Sequence, residues 1–243
     1  MYRIERAIIL AAGYGNRLAP FTDSTPKPLL PVRGVPIAER LIESLLAQGI
    51  ADITVVTGYR RESFSYLQDK YGTIRLLYNP DYEKGNNILS LYAARDILRS
   101  GSTMILDADQ WIYDASILDP RFVSSCYLAS YAEGDTKEWL LELEGDRIRA
   151  CSRTGGRGGW RLYSVSLWSE EDAARLAAHV ERDAHAHREL YWDDVALFLH
   201  RDEFHLSVRK ISADSLCEID TTEELCAMDP AYAELLRNGG NKR

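Results

Sequence analysis

Ala7-Ile8-Ile9-Leu10-Ala11-Ala12-Gly13-Tyr14-Gly15-Asn16-Arg17-Leu18, followed by Thr25-Pro26-Lys27-Pro28-Leu29-Leu30, is the stretch that decides the fold. Its apolar run is short and breaks into glycine, the profile of a strand feeding a tight loop. The two glycines let the backbone come close to an anion and aim amide groups at it. Arg17 adds a planar fork matched to phosphate oxygens. Leu18 stands where a dinucleotide fingerprint needs a third glycine, and no Gly-Lys-Ser/Thr follows, so neither that fingerprint nor a Walker loop fits. Prolines on both sides of Lys27 restrict its backbone.

Outward from this loop, short apolar runs alternate with amphipathic ones. Arg6–Ala12, Asp52–Thr57, Thr73–Tyr78 and Thr103–Ala108 read as strands; Pro36–Gln48, Arg61–Tyr71 and Asn87–Arg99 have helical spacing. Such alternation predicts right-handed βαβ units in a doubly wound sheet, with ligands at the carboxyl ends of the strands. In the second half Ser124–Ala132, Glu138–Glu144 and Trp160–Trp168 read as strands, Glu170–Arg182 and Tyr191–Leu199 as helices, and Gly155–Gly159 as a flexible turn. One domain over residues 1–243 is expected, with a nucleotide-binding part over about 1–120 and an acceptor-binding, closing part over about 121–243.

The 243 residues are 46% hydrophobic, enough for a sizeable core. A net charge of −8 argues against a nucleic-acid surface, which needs a basic stripe. No apolar run reaches the roughly 18 to 20 residues of a membrane span, and the N-terminal run lacks a leader's cleavage site. The four cysteines have no metal-type spacing, so a reduced, cytoplasmic protein is expected. His185 and His187 point apart on a helix, and His179, His200 and His205 are isolated in sequence, which argues against a zinc site.

Gly13-x-Gly15-x-Arg17 with a proline-braced lysine resembles the signature of the nucleotidyltransferases that make nucleotide sugars and CDP-alcohols. Further stretches extend the resemblance to the bacterial phosphocholine cytidylyltransferases of the LicC type: Tyr78-Asn79-Pro80, Gly85-Asn86-Asn87-Ile88-Leu89-Ser90, Leu106-Asp107-Ala108-Asp109, Lys137-Glu138-Trp139, Glu189-Leu190-Tyr191-Trp192-Asp193 and Glu218-Ile219-Asp220. The resemblance implies an α/β fold, a Rossmann-like doubly wound mixed sheet of the GT-A-like nucleotidyltransferase kind with a small acceptor-binding subregion. It also implies CTP as nucleotide, Mg²⁺ as cofactor, and Lys27, Arg17 and Asp109 as catalytic residues. Nucleotide contacts fall on Leu10, Ala12, Gly13, Gly15, Asn86, Ser90 and Asp107. Asn86 and Asn87 have a second reading, as a helix N-cap.

Asp109 is the implied metal ligand, Asp193 its partner and Asp220 a further candidate, all hard oxygen donors suited to Mg²⁺. Asp107 and Asp109 alternate along an extended chain and so are expected to face different sides. Asp194 departs from the family pattern, which has Asn there. By resemblance Trp139 and Tyr191 pack around choline, with Glu218 as counter-charge, because a quaternary ammonium needs ring faces and negative charge. The expected reaction is attack of phosphocholine on the α-phosphorus of CTP, giving CDP-choline and pyrophosphate, in a monomer or homodimer. Alternatives are the same reaction on 2-aminoethylphosphonate or phosphoethanolamine, a sugar-1-phosphate nucleotidyltransferase, and an inactive nucleotide-binding regulatory paralogue.

Overall fold

The computed structural model describes residues 1–239. In chain order its main elements are β1 (Arg6–Ala11), α1 (Ile37–Ala47), β2 (Asp52–Thr57), α2 (Tyr66–Tyr71), β3 (Ile74–Tyr78), α3 (Ile88–Ala93), α4 (Arg95–Leu98), β4 (Thr103–Asp107) and β5 (Gln110–Ile112). There follow β6 (Cys126–Thr136), β7 (Leu140–Glu144), β8 (Arg147–Ser152), β9 (Gly156–Trp168), α5 (Glu170–Asp183), β10 (Ser207–Lys210), β11 (Leu216–Glu218), α6 (Thr222–Met228) and α7 (Ala231–Gly239).

The apolar run of β1 is continuous because both of its faces are covered. Ala7, Ile9 and Ala11 pack with Leu41, Ile42 and Leu45 of α1, while Ile8 and Leu10 pack with Ile88 and Leu91 of α3 and Leu176 and Val180 of α5. Period-two alternation along the strand thus assigns one set of side chains to each helical layer. Strands β4, β1, β2 and β3 lie side by side and parallel, in a nine-stranded sheet of order β6-β10-β8-β7-β9-β4-β1-β2-β3. The chain runs outward from β1 through β2 to β3, then returns to β1's other side with β4. That reversal opens a crevice over the carboxyl ends of β1 and β4, where open α/β sheets bind ligands.

Beyond β4 the sheet turns antiparallel through β9, and β6, β10, β8, β7 and β9 pair in a closed ring that begins and ends at β6. The sheet is one continuous ladder across residue 120. Among the described residues no helix is long and apolar enough to cross a membrane.

Several local expectations change. The glycine stretch 156–159 belongs to β9 and pairs with β6, Gly156 opposite Thr136 and Gly159 opposite Ala132. Glycine is required at the corner, since Gly155 has φ +69° and a Cβ there would lie 2.0 Å from the Thr136 carbonyl oxygen. Tyr191–Leu199 is not a regular helix; a single π-type turn covers Val195–Leu199. Residues 87–99 break into α3 and α4 at Ala94. His179 and His200, isolated in sequence, stack with ring centroids 3.8 Å apart because α5 packs against the turn that ends at His200.

Candidate active site

Gly15 sets the loop after β1. Its φ of +69° favours glycine, and a Cβ there would come within 2.7 Å of Lys27 Cβ, so the lysine can lie directly against the loop. Lys27 begins a short 3₁₀ turn, Lys27–Leu29, with prolines before and within it. Its ammonium meets two carboxylates, Asp109 Oδ2 at 3.0 Å and Asp220 Oδ1 at 2.7 Å. Burial works against the lysine's charge, but Asp109 and Asp220 outweigh it and hold its pKa above the ordinary value. For Asp220, burial is overcome by Lys27 and then Arg17, whose guanidinium lies 3.0 Å away, and its pKa falls below the usual carboxylate range.

The two carboxylates meet because of a short ladder. β5 pairs antiparallel with β11, Gln110 opposite Glu218, and the Ile219 amide donates to the Asp109 carbonyl at 3.1 Å. Asp220 is thereby delivered beside Asp109 from the far end of the chain. A turn at residues 108–109 follows β4, so the expected alternation of Asp107 and Asp109 does not apply. Both side chains line the same crevice.

That crevice holds two joined cavities. The first, about 440 Å³, is lined by all seven residues assigned to the nucleotide: Leu10, Ala12, Gly13, Gly15, Asn86, Ser90 and Asp107. The second, about 380 Å³, is lined by the acceptor residues Trp139, Tyr191 and Glu218 together with Asp193 and Ser164. Arg17, Asp107, Asp109, Tyr191 and Asp220 border both, so Arg17 and Asp109 of the expected catalytic group stand at the junction, while Lys27 lines the first cavity.

Asn87 sits at the N-cap position of α3 without capping it. Its Oδ1 instead accepts the Trp192 amide at 3.0 Å, and its Nδ2 reaches both Asp107 oxygens at 3.3 Å. Asn87 therefore ties the nucleotide wall to the acceptor wall. Asn86 Oδ1 takes the Asn87 amide at 2.8 Å, and Ser90 Oγ accepts from Asn79 at 3.2 Å.

Asp193, the sequence choice for the second metal ligand, is not grouped with Lys27. It is 3% exposed in the acceptor wall; Ser164 donates to its Oδ2 at 3.3 Å, and the buried Tyr127 hydroxyl lies beside it and opposes the effect of burial. Burial pushes its pKa up to about 8. Burial, with Asp109 and Asp193 nearby, pushes Asp107 well above the ordinary value. Glu218 is raised to about 7 by burial and then by Asp109, against the pull of Arg161, which pairs with it at 2.5 Å. Asp109 and Asp220 could hold a metal ion at the junction. Both present hard oxygens, they already converge on one cation, and Asp109 Oδ1 is buried without a partner.

Trp139 stands at 90° to Tyr191, centroids 5.8 Å apart, and at 87° to Phe198, 5.7 Å apart. Arg153 approaches the same rings, its guanidinium carbon 5.6 Å from the Trp139 centroid and 4.1 Å from that of Phe198. It also pairs with the buried Asp194, which accepts the Tyr191 amide at 2.9 Å. Sequence reasoning missed Arg153, Phe198 and Arg161. The one available signal was Asp194 itself, a second acidic residue beside Asp193, which calls for a cation nearby when buried.

Residues 6–119 match the nucleotidyl transferase family model. The chain is 40% identical over 235 residues to the 2-aminoethylphosphonate cytidylyltransferase of Lancefieldella rimae, covering 96% of this chain and 95% of that protein. It is 34% identical over 239 residues to the choline-phosphate cytidylyltransferase of Streptococcus pneumoniae, covering 96% and 99%. The solved structure of the CTP:phosphocholine cytidylyltransferase LicC from Streptococcus pneumoniae superposes with a TM-score of 0.86 at 32% identity, over 94% of this chain and 99% of that one. With the glycine loop, Lys27 and the paired carboxylates at one sheet crevice, these likenesses make the chain a member of the nucleotidyltransferase family, in the branch that holds the LicC-type cytidylyltransferases.

Proposed function

We propose that the chain transfers CMP from CTP to a short acceptor bearing a primary ammonium, 2-aminoethylphosphonate first among them, with Mg²⁺ as cofactor. The observation that carries the acceptor is the acidic wall beside Trp139 and Tyr191, to which Asp193 and Glu218 both contribute carboxyl groups. A primary ammonium can donate hydrogen bonds to such carboxyl oxygens, whereas a quaternary ammonium has no donor to offer. The likeness to a 2-aminoethylphosphonate cytidylyltransferase supports the same choice.

The acceptor's phosphonate oxygen is already nucleophilic near neutral pH, so the chain need not supply a strong base. Gly13 and Gly15 would let the triphosphate lie against the loop backbone, with Arg17 and Lys27 lining the same cavity. The oxygen attacks the α-phosphorus, a P–O bond forms there, the bond to the bridging oxygen breaks, and pyrophosphate leaves with that electron pair. Lys27 and Arg17 stabilise the charge that grows on the transferring and leaving groups. Asp109 and Asp220 would hold Mg²⁺, which supplies charge neutralisation across the phosphate oxygens when bound. Positioning and electrostatics carry the reaction.

A second reading, phosphocholine, rests on the perpendicular Trp139–Tyr191 pair, because Tyr191 is 47% exposed and offers a ring face to a cation. Pyrophosphate release with CTP and Mg²⁺ separates the two. The assay compares 2-aminoethylphosphonate, phosphoethanolamine and phosphocholine at equal concentration. Higher kcat/KM for the primary ammonium acceptors upholds the proposal, and preference for phosphocholine replaces it with the second reading. Release with sugar 1-phosphates alone, or with none, overturns both.

A further inference from the structure

Outside the crevice, α5 carries His179 and Asp183 four residues apart, which puts them on one face a single turn apart. His200 reaches the same face from the end of the 195–199 turn and stacks on His179, ring planes 11° apart. Its Nε2 lies 2.6 Å from Asp183 Oδ2. Glu203 closes the group, Oε2 at 3.0 Å from His179 Nε2 and Oε1 at 3.4 Å from His200 Nδ1. Ligand atoms of His179, Asp183 and His200 all lie within 4.8 Å of one another. One further charge faces them: the Arg182 guanidinium, 2.8 Å from His179 Nδ1, 3.0 Å from His200 Nε2 and 3.0 Å from Asp183.

We propose that His179, Asp183 and His200, with Glu203 as fourth donor, form a binding site for one divalent transition metal of the zinc type. Two imidazole nitrogens and two carboxylates make the N₂O₂ donor set such ions take, and the helical His-x₃-Asp spacing supplies two donors from one rigid element. Burial and the neighbouring His200 favour neutral His179, the form that ligates. Arg182 donates to His179 Nδ1 and stands beside His200 Nε2, bringing the same sign of charge that a metal would. Its side chain is 59% exposed, so a metal can displace it into solvent while the imidazoles rotate out of their stack. The site would staple α5 to the segment that runs from Tyr191 through Phe198, the aromatic side of the acceptor cavity. It does not depend on which acceptor the enzyme uses.

The test is titration of the full-length, chelator-stripped protein with Co²⁺ in excess Mg²⁺, followed by visible absorption, then by Zn²⁺ displacement and thermal shift. A single equivalent with the intense bands of a low-coordinate ion is expected, and Zn²⁺ should raise Tm. His200→Asn and Asp183→Asn should each weaken binding by about tenfold or more. Arg182→Gln removes the competing cation from an exposed position and should tighten it, a gain that a folding defect cannot mimic. Asp109→Asn should leave it unchanged. No stoichiometric binding, binding lost in Asp109→Asn, or binding indifferent to His200→Asn and Asp183→Asn would each overturn the proposal.

Discussion

Lys27 Nζ lies 2.7 Å from Asp220 Oδ1, and the two residues are 193 positions apart in the chain. The contact joins the glycine-loop end of the molecule to the β5–β11 ladder, and it fills with an ammonium the position between Asp109 and Asp220. In the proposed reaction, substrate phosphates and Mg²⁺ would compete for these same charges. Lys27→Met therefore removes the cation that faces the transferring phosphoryl group. A loss of about 10²- to 10³-fold in kcat is expected, with a much smaller change in KM for CTP. Steady-state pyrophosphate release at saturating acceptor measures it, and unaltered turnover would remove Lys27 from the reaction.

The convergence of Asp220 and Asp109 on Lys27 makes a second prediction about which carboxylate completes the proposed magnesium site. Asp220→Asn should raise the Mg²⁺ concentration for half-maximal activity by about 10-fold or more. Asp193→Asn, assayed at saturating acceptor, should not move it. The reverse pattern would return the metal to Asp193.

The first half of the fold was legible because its parallel strands are buried on both faces and read as unbroken apolar runs, and because the loop after β1 combines glycines with Arg17 and Lys27. The candidate site residues came from the family resemblance; the switch point between β1 and β4 explains why the loops that carry them converge. What pattern could not supply was distance across the chain. Gln110–Ile112 and Leu216–Glu218 are three-residue strands, too short to show a period, yet their register sets Asp220 beside Asp109. The glycines at 156–159 carry turn chemistry while their backbone is held in a strand by β6. His179 and His200 meet only through the packing of α5, which no local signal encodes.

Arg153 and Asp194 form a pair whose acid is 2% exposed and whose base is 42% exposed at the side chain. Stripping a partner from a fully buried pair costs about 3–5 kcal/mol. With one member this exposed, solvent screening reduces the expected loss for Arg153→Ala to about 1–2 kcal/mol. Arg153→Ala with Asp194→Asn should recover part of that loss, because the uncompensated carboxylate is gone. Chemical denaturation of the two variants and the wild type checks the order.

Asp193, held up to about 8, and Glu218, to about 7, bind protons in the folded state that an unfolded chain releases near pH 4. The folded state then holds more protons than the unfolded one between those values, so stability falls as pH rises from about 4 toward 8. Thermal melts of the ligand-free protein should show that decline. Asp193→Asn should flatten part of the decline up to about pH 8, and the raised Asp107 accounts for the slope that remains above the Glu218 transition. An unchanged slope in the variant would mean that Asp193 is not the group responsible.

The acceptor wall gives the last comparison. If a primary ammonium docks on Asp193, Asp193→Asn should raise the KM for 2-aminoethylphosphonate more than Trp139→Leu does, since a charge-assisted hydrogen bond contributes about 1.5–3 kcal/mol. A cation–π contact contributes about 0.5–2 kcal/mol, and Trp139 already shares its ring system with Arg153. Phosphocholine should show the opposite ranking, because it can use ring faces and bulk charge but makes no hydrogen bond. Measuring KM for both acceptors in both variants therefore places the ammonium against the carboxylate or against the rings. If Trp139→Leu proves the more damaging change for both acceptors, the binding energy lies in the aromatic faces and the Asp193 assignment fails.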